Sequence, residues 1–267
     1  MAGPPLQDLA ALANHFLTEG PTKFLDIGPR RIRVLFNGVY IVDTTAAKQV
    51  WEHHRYPQFY VPLADVKQSN ISTIKTFAAK DGQNGASILK IEVNGSNGKK
   101  TTDRALAFGP GAGQLNGLVR LEFSAMDKWF EEDTPIYIHP KDPFKRIDIL
   151  PSTRPIQIKI ANHTIASSNW SAHLNETGLP TRFYLPLTSV DPSVLRPSDL
   201  RTGCPYKGVA EYYHVEVGGR LYENIVWYYR TPTQESAGVA DLVCFYNEKV
   251  DILLDGEELV RPKTHFG

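Results

Sequence analysis

The feature that most constrains this chain is an internal repeat. A shift of 124 positions lays residues 30–66 on residues 154–190 without a gap. Nine of the 37 aligned positions are identical, where chance would give about two or three. They include Glu52 on Glu176, Phe59 on Phe183, Tyr60 on Tyr184 and Pro62 on Pro186. The same shift lays Glu92-Val93 on Glu216-Val217 and Gly95 on Gly219. The chain of 267 residues therefore reads as two copies of one unit. The predicted division is an N-terminal helix and linker at 1–28, a first repeat at 29–150 and a second at 151–267. The join falls in a proline-rich stretch, 140–155.

Each copy reads as strands. The β-branched runs 31–36 and 39–42 flank Asn37-Gly38, a hairpin signal. The runs 156–160 and 163–166 flank Ala161-Asn162 in the same way. Further strands are expected at 49–52, 59–62, 87–93, 174–177, 183–186, 210–217, 224–229 and 242–246. Helix is scarce. The clearest runs from Pro5 to Leu17, with Leu6, Leu9, Leu12, Ala13, Phe16 and Leu17 on one stripe, and is expected to cover a sheet. The expected fold is mostly β: two antiparallel repeats related by pseudo-twofold symmetry, plus the N-terminal helix.

Lys and Arg number 29 against 29 Asp and Glu. This balance argues against nucleic-acid partners, which require a basic face, and against a polybasic membrane surface. No apolar run approaches the roughly 18 residues that span a bilayer. The first residues lack a basic segment followed by an apolar one, so no secretory signal is read and a cytoplasmic location is expected. Five Asn-x-Ser/Thr sequons, at Asn70, Asn94, Asn162, Asn169 and Asn175, are then read as strand ends and turns. Cys204 and Cys244 are the only cysteines, and no His-Glu-x-x-His run is present. No metal and no cofactor are expected.

Four segments could carry chemistry. In Thr202-Gly-Cys204-Pro-Tyr206-Lys207-Gly208, a thiol, a phenol and an ammonium lie within four residues. A nearby ammonium favours a thiolate, which makes Cys204 a candidate nucleophile or acid–base group. Glu52 and Glu176 each precede a tyrosine, Tyr60 and Tyr184, by eight residues. They read as facing positions in a hairpin, either an acid–base pair or buried carboxylates that hold the hairpin together. Trp129-Phe-Glu131-Glu132-Asp133 reads as a solvated acidic turn, and His139 with Asp142 could form a dyad. The glycine-rich run 109–117 lacks the Lys-Ser/Thr of a phosphate loop and reads as a flexible turn.

Arg30-Arg-Ile-Arg-Val-Leu-Phe-Asn-Gly, Phe183-Tyr-Leu-Pro-Leu, Cys204-Pro-Tyr-Lys-Gly and the segments beginning at Trp129 and His139 together resemble the family called domain of unknown function 427. The resemblance covers about residues 29–255 and is that of a tandem member. It implies compact antiparallel units, similar in topology to the β-tent fold of methionine-R-sulfoxide reductases without their zinc cysteines. The family sometimes carries a nucleotidyltransferase label. Here Gly95-Ser96 is not followed by an Asp-x-Asp pair, so two-metal phosphoryl chemistry has no visible ligands.

At the shift of 124, Cys204 falls on Lys80, Tyr206 on Gly82 and Lys207 on Gln83. The family signature is thus kept only in the second copy. A single site centred there is expected, with the first copy as scaffold or lid. The expected function is a cofactor-independent enzyme acting on a small organic molecule by acid–base or nucleophilic chemistry, of isomerase, cyclase, lyase or hydrolase type. A place in a biosynthetic pathway would suit such a chain. Glu176, Tyr184, Cys204, Tyr206 and Lys207 are the candidate catalytic residues. Glu52, Tyr60, Arg182, Thr202, Tyr212 and Trp227 are candidates for substrate binding. The alternative is a binding module for a small molecule or a protein, without turnover. The oligomeric state is left open.

Overall fold

The computed structural model describes residues 8–96 and 98–264. They divide between Asp142 and Pro143 into two compact units. The first holds α1 (Leu9–Thr18), β1 (Lys23–Asp26), β2 (Ile32–Phe36), β3 (Val39–Thr44), β4 (Lys48–Trp51), β5 (Gln58–Pro62), β6 (Asn70–Ala78), β7 (Asn84–Gly95), β8 (Gly98–Phe108), β9 (Leu118–Leu121), β10 (Lys128–Glu131) and β11 (Thr134–Ile136). The second holds β12 (Ile147–Ser152), β13 (Ile156–Ile160), β14 (His163–Ser168), β15 (Ser171–Glu176), β16 (Arg182–Pro186), β17 (Leu195–Cys204), β18 (Gly208–Val217), β19 (Arg220–Tyr229), β20 (Leu242–Phe245), β21 (Asp251–Leu254) and β22 (Glu257–Glu258). Strand β12, which the sequence reading divides at the join, pairs along its whole length with β15 of the second unit.

The two units are the same strand for strand. The first has a large sheet ordered β1-β4-β5-β9-β8-β7-β6 and a small sheet β11-β10-β2-β3. The second has β12-β15-β16-β20-β19-β18-β17 and β22-β21-β13-β14. Each small sheet starts from the hairpin read in the sequence. Asn37 and Gly38, and Ala161 and Asn162, all take positive φ, as a two-residue turn between right-twisted strands requires. Alternation then buries Ile32, Val34 and Phe36 in one unit and Ile156, Ile158 and Ile160 in the other. These side chains form each unit's main core with Phe59, Val61 and Ile91, or with Phe183, Leu185 and Val215.

The other face of each large sheet is treated differently. In the first unit α1 packs Leu9, Leu12, Ala13 and Phe16 against Val50, Tyr60, Leu106 and Phe108. The helix is capped by Asp8, whose carboxylate accepts from the Ala10 and Ala11 amides. The expected helical residues Pro5, Leu6 and Gln7 lie outside the described residues. In the second unit that face carries Tyr184, Tyr212, Trp227, Tyr229 and Cys244. Among the described residues no helix is long and apolar enough to cross a membrane.

Candidate functional site

The Cys204-Pro-Tyr206-Lys207-Gly208 segment is the turn between β17 and β18. Gly208 sits at φ +103°, a conformation that side chains resist, with the Thr231 carbonyl 3.2 Å from where a Cβ would lie. The turn is tied to the segment after β19. The Thr233 amide donates to the Lys207 carbonyl at 3.2 Å, and the hydroxyls of Thr233 and Ser236 donate to the Tyr206 carbonyl. These bonds fix the backbone of the turn that carries Cys204 and Lys207.

Lys207 Nζ donates to Glu176 Oε2 at 2.5 Å, and Lys145 Nζ lies 3.7 Å from Glu176 Oε1. Glu176 is 6 % exposed at its side chain and Lys207 12 %, so this pair is held largely out of water. Burial pulls the Lys207 pKa down, but Cys204 and Glu176 beside it outweigh burial and raise it. Lys207 is thus a fixed cation and not a proton acceptor. Glu176 is a carboxylate shared between two ammonium groups.

The remaining candidates spread over the same sheet face. Trp227 Nε1 donates to Tyr184 Oη at 3.0 Å with the rings edge to face. Burial pushes the Tyr184 pKa well above the usual phenol value. Thr202 and Tyr212 share a hydroxyl hydrogen bond of 2.6 Å. Tyr206 is buried, with Lys145 Nζ 5.8 Å from its ring centre. Arg182 lies 5.6 Å over Trp227 and makes two 2.8 Å hydrogen bonds to Glu248. Cys244 is fully buried on this face, and burial drives its thiol far upward.

In the first unit, Glu52 and Tyr60 do meet: Tyr60 Oη donates to Glu52 Oε1 at 3.0 Å. Arg120 Nε also donates to Glu52 Oε1, at 2.7 Å, and Arg120 continues to Glu122. The partners differ because Arg120 in β9 is matched by Cys244 in β20: each pairs with the conserved tyrosine, Tyr60 or Tyr184, in its sheet. A thiol cannot neutralise a carboxylate, so Glu176 turns to Lys207. In neither hairpin does the glutamate face its tyrosine in register. Tyr60 is opposite Lys48, and Tyr184 opposite Ala172.

Pairing also revises the match to Cys204. Cys204 faces Gly208 where Ala78 faces Asn84, because the turn of the first unit, 79–83, is two residues longer than 205–207. Cys204 therefore corresponds to Ala78 instead of Lys80, and Lys207 has no counterpart.

The other segments have structural partners. Trp129 is buried, Glu131 and Asp133 pair with Arg30 and Arg33, and Glu132 accepts from the Arg31 amide. His139 stacks on Tyr56 at 3.9 Å, and Asp142 accepts from Trp51 Nε1 at 3.5 Å. The glycine-rich run is tightly packed only at its start: a Cβ on Gly111 would lie 2.4 Å from Ala79 Cβ, while Gly113 and Gly117 face open space. Among the described residues, no three His, Cys, Asp or Glu side chains converge as a metal set.

Sequence reasoning missed Glu248, Lys145 and Arg120. Arg120 had a signal, since the shift of 124 lays it on Cys244 while its partner Glu52 is retained as Glu176. Glu248 had none. Burial alone would raise the Glu248 pKa; Arg182, Thr264 and backbone hydrogen bonds overcome it and bring it to about 2. A carboxyl lowered on folding stabilises the protein above its unfolded value, 4.5, and loses that contribution as pH falls toward 2. The loss is expected to be about 1–3 kcal/mol, since solvent screens part of the interaction. Urea unfolding between pH 6 and 2 checks this, and Glu248→Gln is expected to flatten the acid limb.

The chain belongs to the family described as a domain of unknown function (DUF427), whose model matches it twice, at residues 25–132 and 148–256. No curated protein matches it closely enough to name a relative.

Proposed function

Taking the chain as a tandem member of this family, we propose that its second unit is a cofactor-independent enzyme site acting on a small organic molecule by nucleophilic or acid–base chemistry. One observation carries the reading: Cys204, Lys207 and Glu176 converge on one sheet face, with Lys207 held as a buried cation. Cys204 is only partly buried, unlike the fully buried Cys244. In this reading Cys204 supplies the nucleophile. Lys207 stabilises negative charge that develops beside it, and Glu176 fixes the lysine in place. Tyr184, Tyr206, Thr202, Tyr212, Trp227 and Arg182 form the surrounding wall.

The test begins with a metabolite library screened by thermal shift, followed by NMR of each hit over time. Wild-type protein is expected to convert at least one hit. Cys204→Ser is expected to abolish conversion with a nearly unchanged melting temperature. Lys207→Met would lower turnover by about 100-fold or more, the usual worth of one electrostatic donor. Hits that bind and are never converted would assign the chain to a binding module instead. A folded Cys204→Ser that keeps full activity would overturn the site.

A further inference from the structure

The two units hold the same glutamate in different charge surroundings. In the first unit the carboxylates of Glu52 and Glu122 meet the guanidiniums of Arg120 and Arg104, so the group sums to zero. In the second, the single carboxylate of Glu176 meets two ammonium groups, Lys207 and Lys145. Arg182 adds nothing to this sum, because Glu248 takes it up with two 2.8 Å hydrogen bonds. The phenols of Tyr184, Tyr229 and Tyr246 stay neutral, since burial pushes each of them upward. The Glu176 group therefore carries one positive charge in excess.

The excess lies on Lys145. Lys207 is the tight partner of Glu176, at 2.5 Å, and is also influenced by Cys204 beside it. Lys145 Nζ stands 3.7 Å from Glu176 Oε1, too far for a hydrogen bond, so it lends charge to the carboxylate without giving up a donor to it. Its side chain is 26 % exposed against 12 % for Lys207, which makes it the more open of the two. It also lies 5.8 Å from the ring centre of Tyr206, in the turn that carries Cys204.

Charge then decides the kind of substrate. A bare thiolate repels an anion. Here Glu176 and an attacking Cys204 thiolate would be two negative charges against two ammonium groups, a sum of zero; before ionisation of the thiol the sum is one positive charge. An anion is accepted in either state. A single surplus charge on a single ammonium matches a carboxylate better than a phosphate dianion. Taking the Cys204 site of the preceding reading as premise, we propose that the substrate is a small carboxylate, bound through its anionic group by Lys145 Nζ while Cys204 attacks an electrophilic carbon of the same molecule.

Iodoacetate and iodoacetamide share the reacting carbon and differ in charge, and their reaction with the full-length protein forms the test. Each forms an S–C bond to Cys204 and releases iodide. Peptide mass spectrometry locates the label, with the fully buried Cys244 as internal reference. The rate ratio, iodoacetate over iodoacetamide, is expected to exceed that of 2-mercaptoethanol by about five-fold or more. Lys145→Gln leaves the attacking state with the charge of a bare thiolate, so its ratio is expected to fall to about that of 2-mercaptoethanol. Lys145→Arg is expected to keep the wild-type ratio, with circular dichroism confirming that both variants fold. A wild-type ratio no higher than that of 2-mercaptoethanol, or one that a folded Lys145→Gln leaves unchanged, would overturn the carboxylate proposal and leave Cys204 standing as a nucleophile. No labelling of Cys204 by either reagent would overturn both, because the thiol would then be out of reach.

Discussion

Replacing Arg120 with leucine is expected to destabilise the protein by about 3–5 kcal/mol, because it strands a buried carboxylate. The Arg120 side chain is 4 % exposed and that of Glu52 2 %. Glu52 then keeps only the Tyr60 hydroxyl, and Glu122 loses one of its two arginines. The double variant Glu52→Gln/Arg120→Leu removes both charges. It is expected to recover most of the loss, since the cost comes from an unpaired charge and not from a missing attraction. Chemical denaturation of the wild type, the single variant and the double variant measures this. A double variant no more stable than the single one would mean that Arg120 acts mainly through packing.

Trp129→Ala is expected to cost a similar amount, about 3–5 kcal/mol, because it empties the centre of the first unit's main core. Phe59 and Phe123 lose the ring between them, and the Phe123 carbonyl loses one of its two donors, keeping the Met126 amide. The variant would hold an apolar cavity where the Trp129 ring stood. Added indole should raise its melting temperature by more than that of the wild type, since a ligand of the native state stabilises it by mass action. An unchanged response to indole would show that the emptied site collapses.

Much of the architecture is legible in the sequence for a simple reason. The hairpins 32–44 and 156–168 are local, with period-two burial around a turn that takes positive φ, and local patterns survive in both copies. Strands β6–β8 and their counterparts are less legible. The β7–β8 hairpin is three residues longer than β18–β19, and the segment after β19 restores the difference. A constant shift crosses both changes without a sign of either. It crosses the turn before β7 in the same way, and there the two extra residues of 79–83 over 205–207 made Lys80 appear to stand at Cys204.

The candidate site divides along the same line. Cys204, Tyr206 and Lys207 stand together in the chain, and a turn keeps them together. Glu176 was legible as a retained residue, but its partner was not. Whether a glutamate meets a tyrosine, an arginine or a lysine depends on what β9 or β20 places beside it, some 68 residues away for Glu52 and Arg120. Glu248 meets Arg182 across 66 residues and left no pattern.

By itself the sequence determined the duplication, the β class, the hairpins and the covering helix, because repetition and periodicity are properties of neighbours in the chain. Only the tertiary structure decided which partner each buried charge takes. It also decided that Ile252 takes the place of Trp129 in the second unit. Charge pairing and cavity volume arise from strands that meet after folding, and no local pattern encodes them.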